Sequence, residues 1–292
     1  MLAWSLLPHA LAGGLGHSGV AVPLYAASAP CDDRRYPALA GPWVVACGPD
    51  GQVDRVLSLR TGRQLDLPLS SPSPALDDSA LYIPGFGGGL IQLHESGALL
   101  ADGIATIHDP AVAPAALSGE RVVVLSADRV QSARLLDRAR LKHDAQPVGW
   151  YPPAIAGDHV AWVDTGGQPD GTAIWWMPLE GGDPQQLAAD GRHVQGSPQR
   201  LVWVTDAAIV SRDPVTAQVT TQPVRTGFSA PPSLWQDVLC WEEWGDADVD
   251  ITCDDGLSVV RPGHQQWPSR WDRWLLFREG DQVWLLTAPD PS

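Results

Sequence analysis

Pro153-Ala-Ile-Ala-Gly-Asp-His-Val-Ala-Trp-Val163 reads as a short apolar strand, a Gly-Asp turn, and a second strand of β-branched and aromatic residues. The same phrase recurs along the chain: a proline, a few small or apolar residues, a turn, then an apolar run. Clear copies are Tyr36-Pro-Ala-Leu-Ala-Gly-Pro-Trp-Val-Val-Ala46 and Pro114-Ala-Ala-Leu-Ser-Gly-Glu-Arg-Val-Val-Val124. Copies begin near residues 37, 74, 114, 153, 194, 232 and 268, at spacings of 36 to 41 residues. The copy at Val194 is weaker, with its proline moved into the turn.

Each phrase is followed by a polar turn, a third strand, a glycine-containing turn and a short fourth run. Gly171-Thr-Ala-Ile-Trp-Trp-Met-Pro-Leu-Glu-Gly-Gly182 and then Pro184-Gln-Gln-Leu-Ala188 give the clearest case. Four strands in roughly forty residues, repeated seven times, is the signature of radial repetition, which shields nearly all sheet edges. The expected fold is therefore all-β: a single seven-bladed β-propeller of four-stranded blades over residues 17–292. Arg129 to Lys142 has a helical look, but it sits where two strands are due. The last unit supplies only three strands. Val20 to Tyr25 is a spare β-run, expected to pair onto the last blade and close the ring, and its Pro23 suits an edge strand.

The turn-rich phrases, "Ile-Trp-Trp-Met-Pro-Leu-Glu-Gly-Gly", "Gln-Gln-Leu" and the Asp250-Ile251 step resemble the repeats of TolB-like β-propellers. The likeness covers most of the chain through short, degenerate motifs, so what it implies is the fold. TolB carries six blades behind a separate domain, whereas seven phrases stand here, so the resemblance does not extend to a Tol-system role.

Composition narrows the function. Nineteen basic against 34 acidic residues leave a net charge of −15, which argues against nucleic acid and polybasic membrane-surface binding. A 44% hydrophobic content supports a real core. No run is long and apolar enough to span a bilayer. Residues 1–16 read as a degenerate or truncated export signal ending in Ala10-Leu11-Ala12, or as an ordinary apolar N-terminus. The four cysteines form two sequence-local pairs, Cys31 with Cys47 and Cys240 with Cys253. A loop at Gly245 to Asp248 would set the second pair directly across a hairpin. They are expected as disulfides in a periplasmic or secreted protein, the alternative being buried thiols.

Tryptophan supplies 14 of the 21 aromatic residues. Trp43, Trp162, Trp203 and Trp241 take like places in second strands, and Trp175 and Trp284 lie in third strands. Rings there are expected to fill the wedges between blades. A second set lies near the phrase starts or, for Trp244, near a loop joining second to third strands: Arg34, Arg35, Tyr36, Trp150, Tyr151, His193, Phe228, Trp244, His264 and Trp267. Loops entering first strands and those joining second to third strands emerge on one face. These residues are therefore expected around one mouth of the channel, as anchors or as local packing against proline. The opposite face is expected to present mainly Gly and Asp turns such as Gly41 and Gly157-Asp158.

Catalytic signals are sparse. No nucleophile elbow, metal-ligand spacing or phosphate loop stands out, and no cofactor or metal is expected. Gly85 to Gly89 precedes a strand and reads as a hairpin turn. Asp246, Asp248, Asp250 and Asp254 have the oxygen spacing of a calcium loop, but Ile251 stands where glycine is needed. The sequence thus points to a monomeric, non-catalytic binding module for a protein or peptide. The alternative is a glycan-binding propeller or a glycan-active enzyme drawing on carboxylate pairs such as Glu242-Glu243 or Asp32-Asp33.

Overall fold

The computed structural model describes residues 21–26, 38–46, 52–71, 75–78, 80–83, 89–100, 115–118, 121–126, 129–134, 140–144, 151–164, 172–225 and 231–288. Among them every regular element is a strand, and the strands form seven four-stranded antiparallel sheets. No helix there is long and apolar enough to cross a membrane. The helix-like stretch resolves into two paired strands, Arg129–Arg134 and Arg140–Asp144.

The first strands of the sheets are Ala38–Ala40, Ala75–Asp77, Ala115–Ser118, Ala154–Ala156, Arg192–Gly196, Ser233–Trp235 and Gln265–Trp271. Each lies beside the first strand of the next sheet, and Gln265–Trp271 lies beside Ala38–Ala40. Small residues make this approach possible. A β-carbon on Gly41, where φ is +58°, would fall 1.7 Å from the Asp78 carbonyl oxygen in the neighbouring sheet, so only glycine fits. Serines that follow the phrase prolines stitch adjacent sheets. Arg270 N donates to Ser233 Oγ and Leu39 N to Ser269 Oγ, both at 2.8 Å.

The core lies between sheets rather than within one. Trp43, Trp162, Trp203 and Trp241 are all nearly inaccessible. Trp203, in the fifth sheet, packs with Ile174 and Trp176 of the fourth, and Trp162 with Val123 of the third. Trp175 and Trp284 pack, partly buried, at the margins of such clusters. Truncating one of the four buried rings to alanine would cost about 3–5 kcal/mol.

In the last sheet the order is Val22–Ala26, Gln282–Thr287, Trp274–Glu279, Gln265–Trp271. Val22 pairs with Leu285 and Ala26 with Gln282, with a register break between Pro23 and Tyr25. That break suits a residue with no N–H to donate. Leu24 is buried among Leu39, Val44 and Leu57 of the first sheet and Leu276, Val283 and Leu285 of the last.

Strands Val238–Trp244 and Val249–Cys253 form the expected hairpin, closed by Gly245 N to the Asp248 carbonyl at 2.8 Å. Cys240 faces Cys253 across it, with α-carbons 4.0 Å apart, and the two are bonded. Cys31, Cys47 and residues 1–16 lie outside the described residues.

Candidate functional site: the axial cavity and its two ends

First strands of all seven sheets line one cavity of about 690 Å³. Two consequences follow from strand direction. One end is framed by the segments that enter the first strands, including Pro152, Pro231 and Trp267. The other is framed by the turns leaving them, including Asp78, Gln199, Trp235, Asp237 and Trp271.

At the entering end, five of the ten sequence-predicted binding residues are described. They form local groups. Tyr151 meets His193 edge to face at 5.0 Å, and Trp244 meets His264 at 6.1 Å. Of the five, only Trp267 lines the cavity. Arg34, Arg35, Tyr36, Trp150 and Phe228 lie outside the described residues.

Three expected loop residues sit within strands instead, Trp244 at the end of one and two others at bulges. His193 belongs to Arg192–Gly196 and Trp267 to Gln265–Trp271. Both have positive φ, +56° and +63°, at breaks in register with the second strand. A bulge of this kind re-aims a side chain at the rim of a sheet. Trp267 N donates to Glu242 Oε1 at 3.0 Å, which commits part of a carboxylate that is 1% exposed. Trp244 ends the second strand of the sixth sheet, and His264 bridges to Val249 just before a first strand.

The turn end differs from expectation. Instead of bare Gly and Asp turns it carries an aromatic cluster. Trp271 stacks on Trp274 with centroids 5.3 Å apart, and Trp235 meets Trp271 at 6.5 Å. The Arg60 guanidinium sits 5.9 Å from the Trp271 centroid. Gly41 and Gly157 do occupy the first turn position in two sheets, but Gln236 and Asp272 occupy it in the sixth and seventh, both at φ +51°. Those turns are flanked by Trp235, Trp271 and Trp274. In the sequence the doublets Trp235-Gln236 and Trp271-Asp272 fall at the turn position that glycine holds in other repeats, so glycine spacing alone does not mark them.

Charge at this end is unevenly matched. Arg270 Nη2 reaches Asp255 Oδ2 at 3.0 Å, and its Nε donates to the Asp272 carbonyl at 2.6 Å. Burial lowers its pKa, against the raising effect of Asp255 and Asp272. Arg200 Nη1 pairs with Asp254 Oδ2 at 2.6 Å. Asp78 titrates above its ordinary range: partial burial comes first, then the charge of Asp77, with the Trp271 indole pulling the other way. Its side chain keeps solvent contact, which limits the effect.

Other candidates separate in space. Glu242 is buried towards Trp267, while Glu243 is exposed and accepts from Thr252 Oγ1 at 3.0 Å. Neighbours in one strand face opposite ways, so this pair does not flank a common bond. Asp32 and Asp33 are outside the described residues. Asp246 and Asp248 lie in the exposed 245–248 turn, whereas Asp254 sits at the far end of the following strand, bound to Arg200 and to Leu239 N. Among the described residues no group of three or more His, Cys, Asp or Glu is placed to hold a metal ion.

With this geometry the chain is similar to known propellers. BamB from Moraxella catarrhalis superposes with a TM-score of 0.53 at 13% identity, covering 91% of this chain and 99% of that one. The β-propeller domain of the Trilobed protease from Pyrococcus furiosus, with an open velcro topology, gives 0.56 at 7% identity over 91% and 94%. TolB from Acinetobacter baumannii gives 0.44 at 10% identity over 80% and 59%. No family model and no curated protein sequence matches. The fold is a β-propeller, and the chain resembles TolB- and BamB-type propeller proteins. A propeller domain within a protease is a reminder that the fold does not by itself fix the activity.

Proposed function

We propose that this chain is a seven-bladed propeller, closed by Val22–Ala26, that acts as a non-catalytic binding module for a protein or peptide at its axial cavity. The observation that carries the reading is the cavity itself. Its walls come from all seven first strands, and its ends bear aromatic and charged side chains of the types that dominate binding hot spots. The likeness to BamB supports the propeller fold on which this reading rests. The cyclic packing of the first strands and the pairing of Val22–Ala26 with Gln282–Thr287 support seven blades in a closed ring. The Cys240–Cys253 bond supports an exported protein, periplasmic or secreted.

A pull-down from envelope extracts with cross-linking identifies the partner, and its affinity is then measured against variants. Trp150→Ala and Trp267→Ala should each weaken binding by about 1–3 kcal/mol with the melting temperature kept, the usual scale of a truncated anchor. If neither they nor substitutions at the opposite end of the cavity change the affinity, binding lies off the axis and the reading is wrong.

A further inference from the structure

The turn end of the cavity carries two carboxylates that stand outside the ion pairs among the described residues. Asp78 of the second sheet and Asp237 of the sixth both line it. Neither carboxylate forms an ion pair with a described residue. Of the cations close by, Arg270 is engaged by Asp255, Arg200 by Asp254 and the Asp237 carbonyl, and Arg60 lies against the Trp271 ring. Ala75, Leu76, Ala116, Leu117 and prolines share the cavity walls with serine and glutamine side chains and with Arg270.

The aromatic side of the same end points to the same chemistry. This molecule caps several indole faces with its own guanidinium groups, Trp271 at this end among them. Arg212 lies 4.6 Å from the Trp176 centroid, Arg261 4.2 Å from Trp284, and Arg60 5.9 Å from Trp271. Trp235 lines the cavity with only an edge contact to Trp271, and no described cation lies over it. A half-buried indole at a cavity end that also carries the carboxylates of Asp78 and Asp237 is a combination that suits a cation with an apolar stem.

We propose that this end of the cavity binds an arginine or lysine side chain presented by an extended peptide of a partner protein. Trp235 provides the face, and Asp78 and Asp237 provide the counter-charge. This rests on the reading of the chain as a protein- or peptide-binding propeller, and it adds the charge of the ligand and the end of the cavity it enters.

The test uses the whole protein, with a blocked heptapeptide carrying two arginines, its citrulline counterpart, and spermidine, each titrated by calorimetry. The arginine peptide should bind about tenfold or more tightly than the citrulline peptide, a gap expected for a desolvated cation site. Asp78→Asn with Asp237→Asn should remove most of that gap. Asp246→Asn with Asp248→Asn, the same charge change in the exposed turn at the opposite end, should not. Equal loss from both double variants would mean diffuse attraction to an acidic protein and would overturn the site. Spermidine binding as tightly as the arginine peptide, with the same dependence on Asp78 and Asp237, would overturn the peptide assignment in favour of free polyamines. A captured partner indifferent to Asp78→Asn/Asp237→Asn would overturn this inference and leave the binding-module reading intact.

Discussion

Gln236 and Asp272 show how one backbone angle redistributes side chains. In the first and fourth sheets the same turn position is glycine, at φ +58°. A non-glycine residue there costs about 1–2 kcal/mol, yet in the sixth and seventh sheets that conformation sits within the turns that place Trp235, Trp271 and Trp274 at the cavity end. Asp78, nearby, carries a testable electrostatic cost. Its pKa in the folded protein lies above the ordinary 3.8, so the folded state holds the proton more tightly than the unfolded chain. The penalty is therefore absent below the ordinary value and present in full once the pH passes the raised one. Asp78→Asn, which keeps an acceptor for Trp271, should raise the melting temperature by about one or two degrees at pH 7. It should have no such effect near pH 3. A shift of equal size at both pH values would remove the electrostatic explanation. Because the same substitution is expected to weaken cationic peptides, stability and binding oppose each other at this position.

Two elements bear on holding the chain together. The hairpin Val238–Trp244/Val249–Cys253 carries the bond between Cys240 and Cys253, which encloses few residues. Replacing both cysteines by alanine should cost about 2–3 kcal/mol on loop-closure grounds, read from denaturant unfolding. Non-reducing peptide mapping should find this link, and also the expected Cys31–Cys47 pair. A free thiol at Cys31 would withdraw the second. Strand Val22–Ala26 is the other element. Its Leu24 is buried against both the first and the last sheet, so Leu24→Asp places a charge where two sheets meet. The whole protein should then melt at a lower temperature, and Gln282–Thr287, left without its neighbour, should promote association through its free edge. Unchanged melting and solubility on deleting residues 1–27 would argue that this strand plays no part in closure. Its pairing was legible beforehand because the last unit was one strand short. The register was not: it shifts between Pro23 and Tyr25, where proline has no N–H to give the ladder.

Across the molecule, stability resides in surfaces between sheets, so each repeat depends on its neighbours. The bond from Leu39 N to Ser269 Oγ joins residues 230 apart in sequence, and Trp203 of one sheet completes the core of the one before it. Much of this was legible along the chain. A phrase recurring every 36 to 41 residues, with alternating apolar positions and turn residues at fixed offsets, specifies strands and their antiparallel order, because local pairing needs only local pattern. The buried places of Trp43, Trp162, Trp203 and Trp241 followed from the same repetition. The candidate site was legible only in part. The entering-end residues were expected as a single ring of loop residues, whereas bulges at His193 and Trp267 put those two inside strands, and four of the five described ones meet as the pairs Tyr151–His193 and Trp244–His264. The turn-end cluster of Trp235, Trp271, Asp78 and Asp237 was not found. Its members come from three different sheets, and which of them share a cavity is settled by how seven sheets pack around an axis. That packing depends on contacts between residues far apart in sequence, such as the fit of Gly41 against Asp78, which no local pattern encodes.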